Sequence, residues 1–371
     1  MKKTMAFIHV IIPCYNVEKH LEQAVYSVLN QPCKEIDIVL VDDGSPGKTP
    51  QLCDKLEARE PRVHVIHKEN GGVSSARNTG IDYILKSYAN NLDQQYLAFL
   101  DGDDIWSPDF FTSEVMEVFA KNYDSIAFRS RTCTFDLSRC IPPVACTACE
   151  RTDNDSFWTR LNYHFGAVLH ACKFVQEHRI RFKENLRIAE DTVFQMYTCY
   201  YAKHVWQDER ILYVYRKNPV SVFNTREFGI PHFVPIIDGF IETDTELNLS
   251  PACGRSVHTI GSTLARRYLH ELVTEHFQIG GASEELDELF RVKPHYLRIM
   301  APDSLDDSQL QDYTVSLRNE YQRKRRTLRL RGIILYAIRV ARSIPLINTC
   351  AERMIYKELT LIPESIHRKE I

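Results

Sequence analysis

Two glycine-rich loops that bind nucleotide phosphates are missing from this sequence of 371 residues. A dinucleotide-binding sheet needs G-x-G-x-x-G directly after its first strand, whereas the corresponding turn here reads "PCYNVEKH" and has no glycine. The phosphate-binding pattern G-x-x-x-x-G-K-[ST] does not occur either. These absences argue against a dehydrogenase of the dinucleotide-binding class and against a glycine nest as the main holder of phosphate.

Long apolar runs and strong net charge are also absent. No stretch approaches the ~20 apolar residues that a membrane span requires. The N-terminal run "MKKTMAFIHVIIP" contains His9, stops at Pro13 and lacks a small-residue cleavage site, so it favours a first buried strand over a signal peptide. A net charge of −3 gives no reason to expect a nucleic-acid binder. The composition, 44% hydrophobic and 26% charged, is that of a globular protein.

The 11 cysteines are odd in number and scattered. Four of them, Cys133, Cys140, Cys146 and Cys149, are close in sequence, but their irregular spacing and the lack of a second pair argue against a zinc site. We expect them to be free thiols of a reducing cytoplasm. Six others read as small buried hydrophobic residues: Cys14, Cys33, Cys53, Cys172, Cys199 and Cys253.

Strand-like and helical patterns alternate over the first 130 or so residues. Apolar runs at 7–15, 36–45, 63–70, 96–100 and 125–135 are separated by helical patterns at 17–31, 50–60, 73–89 and 109–121. Such alternation predicts an α/β fold with a doubly wound, mostly parallel sheet. The nearly continuous apolar content is typical of strands covered on both faces.

Carboxylates follow two of these strands. Asp42 and Asp43 end one strand, and Asp101, Asp103 and Asp104 follow another in "YLAFLDGDD". A solvated turn would explain one such cluster, since Asp and Gly are common in turns. In a parallel sheet, however, the carboxyl ends of the strands share one edge, where ligands bind. Hard oxygen ligands at that edge suit Mg²⁺ or Mn²⁺, which would neutralise a diphosphate.

Five short motifs in order resemble those of family 2 glycosyltransferases with the A-type nucleotide-sugar fold. They are "VIIPCYN", "VLVDDGS", "GGVSSARNTG", "LDGDD" and "AEDTVF", and the resemblance covers roughly residues 7–220. Each motif alone is weak, whereas five in register are a strong signal. The resemblance implies an inverting, metal-dependent transfer of a hexose or N-acetylhexosamine from a UDP-sugar.

The resemblance also implies roles for single residues. Pro13 and Tyr15 would line the uracil pocket and Asp43 would accept the uracil N3–H, while Asp42 caps the turn. The resemblance assigns three further residues to donor binding. Arg77 would reach the nucleotide or its phosphates, Asp101 would contact the ribose or sugar, and Gly102 lies beside Asp101 in the same motif. Asp103 would bind the metal through the diphosphate, and Asp104 would support Asp103 or the donor sugar.

The acidic pair Glu190 and Asp191 begins a helical pattern, and the resemblance implies that Asp191 is the catalytic base. Helix capping is the alternative explanation of these acids. "VYRKNPVSV" (214–222) resembles the segment that closes the family's core, with Arg216 and Ser221 near the diphosphate. His170 would contact donor or acceptor, or is simply packed. A Q-x-x-R-W motif of processive relatives is absent, which favours one sugar per encounter.

The resemblance fades beyond about residue 228, so we expect a catalytic domain at 1–227 and a helical region at 228–371. Within the latter, 323–347 holds eight Lys or Arg and no acid. Basic, apolar and too charged to span, this segment predicts a helix on an anionic membrane surface; nucleic-acid binding and a solvated helix are the alternatives.

Together these features predict a non-processive transferase that builds a bacterial capsule, lipopolysaccharide or exopolysaccharide, and no nucleic-acid partner. The acceptor would be a glycan or lipid-linked glycan, and the enzyme would lie in the cytoplasm against the inner membrane. The alternatives are a nucleotide-sugar or glycoside hydrolase that uses Glu190 and Asp191 as a carboxylate pair, and a non-catalytic UDP-sugar-binding module.

Overall fold

One mixed sheet forms the centre of the computed structural model, which describes residues 6–141, 148–151, 164–217, 230–247 and parts of 264–299. Its strands are β1 (Phe7–Cys14), β2 (Ile36–Asp43), β3 (Val63–Lys68), β4 (Gln95–Phe99), β5 (Ile105–Trp106), β6 (Ser125–Thr134), β7 (Cys140–Ile141), β8 (Cys149–Arg151), β9 (Val168–Ala171) and β10 (Val205–Lys217). The strand order is β3-β2-β1-β4-β9-β6-β10-β5, with β7 beside β6 and β8 beside β10.

Helices connect most of these strands. They are α1 (Leu21–Leu29), α2 (Thr49–Arg59), α3 (Val73–Ser87), α4 (Ser113–Phe119), α5 (Cys172–Glu177), α6 (Glu190–Tyr201), α7 (Ile230–Glu246) and α8 (Ser283–Val292), with a 3₁₀ helix at Phe165–Ala167. The predicted helix at 109–121 is shorter, because Thr112 caps it by accepting a hydrogen bond from the Val115 amide at 3.4 Å.

In the parallel half of the sheet, the strands β1, β2 and β4 are almost entirely buried, whereas the edge strand β3 is mostly half-buried. All eight residues of β2 are buried, as expected for a strand covered by helices on both sides. Val10 and Val25 belong to one core cluster, which includes α1, whereas Ile11 and Ile84 belong to the other, which includes α3. Neighbouring residues of β1 thus face opposite layers, which is the doubly wound arrangement that the sequence predicts.

The other half of the sheet contains antiparallel pairings that the sequence did not predict. The two- and three-residue strands β5, β7 and β8 each run antiparallel to their neighbour in the sheet. The four-residue strand β9 runs antiparallel to both of its neighbours, β4 and β6, while β10 runs parallel to β6. A strand this short has no periodicity to reveal it. The prediction of a mostly parallel sheet is nevertheless confirmed.

The prediction of free thiols is wrong for one pair of cysteines. Cys133 on β6 and Cys140 on β7 are directly opposite in the ladder and form a disulfide, whereas Cys149 is free. Cys146 and Cys253 lie outside the described residues. The expectation of buried, free cysteines holds for Cys14, Cys33, Cys53, Cys172 and Cys199.

The chain divides into two compact units, Met1–Arg226 with Asp238–Gly261, and Glu227–Ile237 with Ser262–Ile371. In the second unit the Tyr296 hydroxyl donates to the Val234 carbonyl at 3.4 Å. The basic segment 323–347 lies outside the described residues. No helix in the described part of the chain combines the length and apolar character needed to cross a membrane.

Candidate active site

Two groups of carboxylates lie at the same edge of the parallel half-sheet. Cys14 at the end of β1 pairs with Asp42 at the end of β2, and β4 lies on the other side of β1, with Phe99 opposite Ile11. The acidic turn 101–104 follows β4 directly. The structure therefore brings the two acidic clusters to one edge, as the sequence predicts.

Asp43 is buried, and the loop before α3 holds its carboxylate. Oδ1 accepts hydrogen bonds from Lys68 Nζ at 2.7 Å and from the Gly71 amide at 2.9 Å, and Oδ2 accepts one from the Gly72 amide at 2.7 Å. Gly72 has a φ of +89°, a conformation that favours glycine. Because a carboxylate has about four acceptor positions, these three contacts orient Asp43 and leave capacity for a further donor.

Asp42 stabilises the turn after β2. Its Oδ1 accepts from the Ser45 amide at 3.2 Å, and its Oδ2 lies 2.9 Å from His67 Nδ1. His67 Nε2 in turn lies 2.9 Å from Asp54 Oδ1 on α2. Asp42 thus has the turn-capping contact that the sequence suggests.

The end of β1 offers an exposed aromatic ring. Tyr15 follows β1 directly and is 48% exposed, while Pro13 sits within β1 opposite Val41. Gly102 is buried, and a Cβ built on it would lie 3.0 Å from Val17 Cγ2. Gly102 therefore keeps the acidic turn close to the segment that follows Tyr15.

Arg77 on α3 is buried between acids and rings. Its two terminal nitrogens lie 2.9 Å from Glu190 Oε1 and 2.9 Å from Asp101 Oδ1. Its Cζ lies 5.0 Å from the ring centre of Phe165 and 5.2 Å from that of Phe182. The guanidinium thus bridges two protein carboxylates, which links the acidic turn to the start of α6, while its predicted contact with the nucleotide or its phosphates stays a prediction.

Asp104 fastens β10 to the acidic turn. Its Oδ2 accepts from the Tyr213 hydroxyl at 2.6 Å and its Oδ1 from the Arg216 amide at 2.6 Å. The same hydroxyl accepts from the Asp101 amide at 3.3 Å. Burial raises the pKa of Asp104, and the charges of Asp101 and Asp103 raise it further. These contacts point Asp104 into the protein, where it supports the turn.

The Arg216 guanidinium lies on the same side as Asp103. It donates to Gln23 Oε1 at 2.5 Å, and another of its nitrogens lies 3.4 Å from His20 Nδ1. Burial lowers the pKa of Arg216, and Asp104 and Asp103 oppose that shift. Asp103 likewise opposes the lowering of the His20 pKa, which burial and Arg216 cause. A fixed positive group therefore stands beside the predicted metal ligand.

Glu190 and Asp191 form the first turn of α6. The N-cap is Ala189, in the left-handed region with a φ of +61° and without a side-chain cap, so both acids lie in the first turn and neither is the N-cap residue. Asp191 Oδ1 accepts from the Thr192 amide at 2.7 Å. Burial raises the pKa of Glu190 to about 7, together with the Asp191 charge and against the opposing Arg77. Glu190 therefore holds its proton to a higher pH than an ordinary carboxyl does.

The acidic turn and the start of α6 face a common tyrosine. Burial raises the pKa of the Tyr215 hydroxyl, and four carboxylates raise it further. In decreasing order of their effect on the Tyr215 pKa, these carboxylates are Asp104, Asp103, Asp101 and Asp191. Together with the Arg77 bridge between Asp101 and Glu190, this effect indicates that the acidic turn and the start of α6 belong to one site.

His170 does not join this group. It is buried on β9, with Nδ1 2.8 Å from Ser125 Oγ and its ring 5.7 Å from that of Phe194. Burial lowers its pKa to about 3. Of the two roles considered for His170, the structure favours packing over contact with donor or acceptor.

The sequence interpretation gives no role to Gln23, Tyr213 and Tyr215, nor to His164, whose ring stacks on that of Tyr213 with centres 4.3 Å apart. Tyr213 and Tyr215 alternate on β10, and residues two apart in a strand face the same side. That pattern was available as a signal. No comparable sequence signal marks Gln23, which lies in a helix far upstream, or His164. Ser221 lies outside the described residues.

The donor set at the acidic turn fits a hard divalent cation. Asp101 and Asp103 are both partly exposed, whereas Asp104 is buried. Within the described parts of the chain, no three His, Cys, Asp or Glu side chains are grouped so as to hold a metal by themselves. Mg²⁺ is commonly bound by one or two carboxylates together with substrate phosphates, and the turn offers such a partial set.

Solved structures share this fold. S. aureus TarS in complex with UDP is 19% identical, with a TM-score of 0.56, and the match covers 87% of this chain and 90% of that chain. The TarS complex with UDP-GlcNAc matches with a TM-score of 0.58 at 18% identity. The chain therefore has the A-type glycosyltransferase fold.

The sequence places the chain in a family. The family described as Glycosyl transferase family 2 matches residues 9–198, just over half of the 371. The chain belongs to this glycosyltransferase family, which confirms the predicted fold, family and enzyme class.

Curated relatives agree with this assignment. "Uncharacterized glycosyltransferase EpsJ" of Bacillus subtilis is 31% identical over 222 residues, 58% of this chain and 62% of the relative. The minor teichoic acid biosynthesis protein GgaB of the same organism is 32% identical over 195 residues, 49% of this chain and 20% of the relative. The match thus spans less than two thirds of either relative.

Proposed function

We propose that this chain is an inverting, metal-dependent glycosyltransferase that moves a hexose or N-acetylhexosamine from a UDP-sugar to a hydroxyl of a surface glycan. The observation that carries the proposal is the Arg77 bridge, whose two contacts of 2.9 Å bring Asp101 of the acidic turn together with Glu190, the neighbour of Asp191. The UDP and UDP-GlcNAc bound to TarS support a UDP-sugar as donor. The names of GgaB and of the Rhizobium meliloti succinoglycan protein ExoW support a surface polysaccharide as product.

The nucleotide would lie across the ends of β1 and β2. The exposed ring of Tyr15, next to Pro13, would stack on uracil. Asp43, oriented by its three donors, would accept the uracil N3–H with its remaining capacity. Asp101, partly exposed and held by Arg77, would contact the ribose or sugar.

The diphosphate would lie beside the acidic turn. Asp103, with Asp101 close by, would hold Mn²⁺ or Mg²⁺ together with phosphate oxygens and water. The metal, when bound, stabilises negative charge on the departing diphosphate. Arg216, fixed by Gln23 and His20, would add a permanent positive charge on the same side.

Asp191 would act as the base. Its carboxylate would accept the proton of the acceptor hydroxyl, whose oxygen forms a bond to the anomeric carbon as the bond to the diphosphate oxygen breaks. UDP leaves with that electron pair. A single displacement inverts the anomeric carbon, and the lack of a Q-x-x-R-W motif fits the addition of one sugar per encounter.

Donor use provides the direct test. We expect UDP release from at least one of UDP-glucose, UDP-galactose, UDP-GlcNAc and UDP-GalNAc when Mn²⁺ and an acceptor extract are present, because the protein supplies too few ligands to neutralise the diphosphate alone. Chelation should lower that release by at least tenfold, and Mg²⁺ or Mn²⁺ should restore it. Undiminished release after chelation would contradict the metal requirement. Calorimetry that detects no UDP binding, with or without Mn²⁺, would contradict the donor assignment.

We also propose that the acceptor is a lipid-linked glycan and that the chain attaches to the cytoplasmic face of the inner membrane through 323–347. Its eight basic residues, at about 1 kcal/mol each near an anionic surface, suffice for reversible attachment. Flotation should therefore recover the full chain with anionic vesicles and little of it with neutral ones. Equal recovery from both would remove the electrostatic part of the proposal.

A further inference from the structure

His164 places an imidazole beside Tyr213, the residue that hydrogen-bonds the acidic turn. It is partly exposed, and it directly precedes the 3₁₀ helix Phe165–Ala167. Its Nδ1 accepts a hydrogen bond from the Gly166 amide at 3.2 Å. In the neutral ring the proton therefore resides on Nε2, which makes that atom a donor.

Two rings fix the orientation of His164. It stacks on Tyr213, with ring centres 4.3 Å apart and planes 26° apart, and lies 5.2 Å from Tyr215. Gly166 secures this arrangement, because a Cβ built there would come within 2.2 Å of Tyr213 Cε2. Because the Tyr213 hydroxyl donates a hydrogen bond to Asp104, the stack also connects the imidazole to the acidic turn.

Contacts of its neighbours locate the His164 ring. Tyr213, on which it stacks, accepts a hydrogen bond from the Asp101 amide. Phe165, the next residue, lies against the Arg77 guanidinium, which contacts Asp101 and Glu190.

Burial lowers the pKa of His164, whereas Asp101 and Asp191 oppose that effect and Arg77 adds to it. Asp101 belongs to the donor side of the proposed site, and Asp191 to the side of the attacking hydroxyl. The sugar that is transferred must lie between them, since its anomeric carbon receives the attack.

We propose that His164 is a specificity-determining residue that donates a hydrogen bond from Nε2 to a hydroxyl of the transferred sugar. This inference rests on the proposed function. Sugar epimers such as glucose and galactose differ in the direction of one hydroxyl, so a donor held in one place distinguishes them. A neutral hydrogen bond of ordinary strength corresponds to about a tenfold difference in affinity.

The test compares His164→Phe with His164→Gln. The phenyl ring keeps the stack on Tyr213 but has no donor, whereas glutamine restores a donor without the ring. For each variant, calorimetry with Mn²⁺ would give the Kd of UDP and of UDP-glucose, UDP-galactose, UDP-GlcNAc and UDP-GalNAc. We expect His164→Phe to leave the Kd of UDP within about twofold and to reduce the Kd spread, the ratio of the weakest to the tightest Kd among the four UDP-sugars, by about tenfold. His164→Gln should regain part of this Kd spread.

The matched control is His178→Phe. That imidazole also stacks on a tyrosine, Tyr201, at 4.4 Å, but on a different pair of elements. His178→Phe should leave unchanged both the Kd of UDP and the Kd spread among the four UDP-sugars. A spread that persists in His164→Phe, a wild-type protein with no spread, or a parallel loss of UDP binding would overturn the inference. If the wild-type protein does not bind UDP, that result would instead overturn the proposed function on which the inference rests.

Discussion

Asp191→Asn should lower kcat for sugar transfer by about 10²–10⁴, the range that a general base contributes, and leave the Kd of UDP unchanged. The amide has nearly the shape of the carboxylate but does not accept the acceptor's proton. Asp191 contacts the Thr192 amide and hydroxyl, whereas Asp43 of the proposed uracil pocket is held by a different set of donors on β3 and the loop before α3. Steady-state rates with the preferred UDP-sugar and an acceptor extract, alongside UDP calorimetry, would measure both quantities.

The control is Asp82→Asn, which alters an exposed carboxylate that pairs only with Arg181 in the described contacts. It should leave kcat unchanged. The same assays separate the rival functions. A hydrolase would release free sugar at full rate without acceptor, and a non-catalytic module would bind UDP and show no turnover to lose. A kcat for Asp191→Asn within a few-fold of the wild-type value would exclude Asp191 as the base.

The edge of the sheet could be predicted from sequence because it depends on local patterns. The apolar run of β4 and the acids that follow it are contiguous, and the parallel topology alone brings Asp101 to the same edge as Asp43. The side chains that contact those acids could not be predicted in the same way. Arg77 and Glu190 are 113 residues apart, and only packing of α3 against α6 through Phe182 and Phe194 reveals that they touch.

The antiparallel strand β9 shows a second limit. Its four residues are too few for a period, and its position between β4 and β6 is set by pairing with both. The disulfide has the same origin, because Cys133 and Cys140 meet through ladder register across a short hairpin. In each case the missing information is tertiary, and residue spacing does not encode it.

Arg77→Met should lower the free energy of unfolding by about 3 kcal/mol at pH 8, the low end of the cost of breaking a buried ion pair. Glu190 would be left as a buried carboxylate without its partner. Asp101 would lose the same partner but is more exposed, with 35% of its side chain accessible, so it adds less to the cost. Denaturant unfolding at several pH values would measure the difference. Arg181→Met is the control, because its pair with Asp82 is exposed and such pairs contribute about 0–1 kcal/mol.

The cost of Arg77→Met should also depend on pH, in a direction that the Glu190 pKa determines. In the folded protein that pKa is about 7, above the ordinary value of about 4.3. Glu190 therefore favours folding most below about pH 4, and that contribution is lost as the pH rises through 7. Arg77 lowers this pKa, so its removal raises the pKa further and makes the ionised form costlier. The deficit of Arg77→Met should thus be smallest near pH 5 and widen toward pH 8. A deficit that is flat across this range, or that matches Arg181→Met, would show that Arg77 and Glu190 are not coupled as the structure has them.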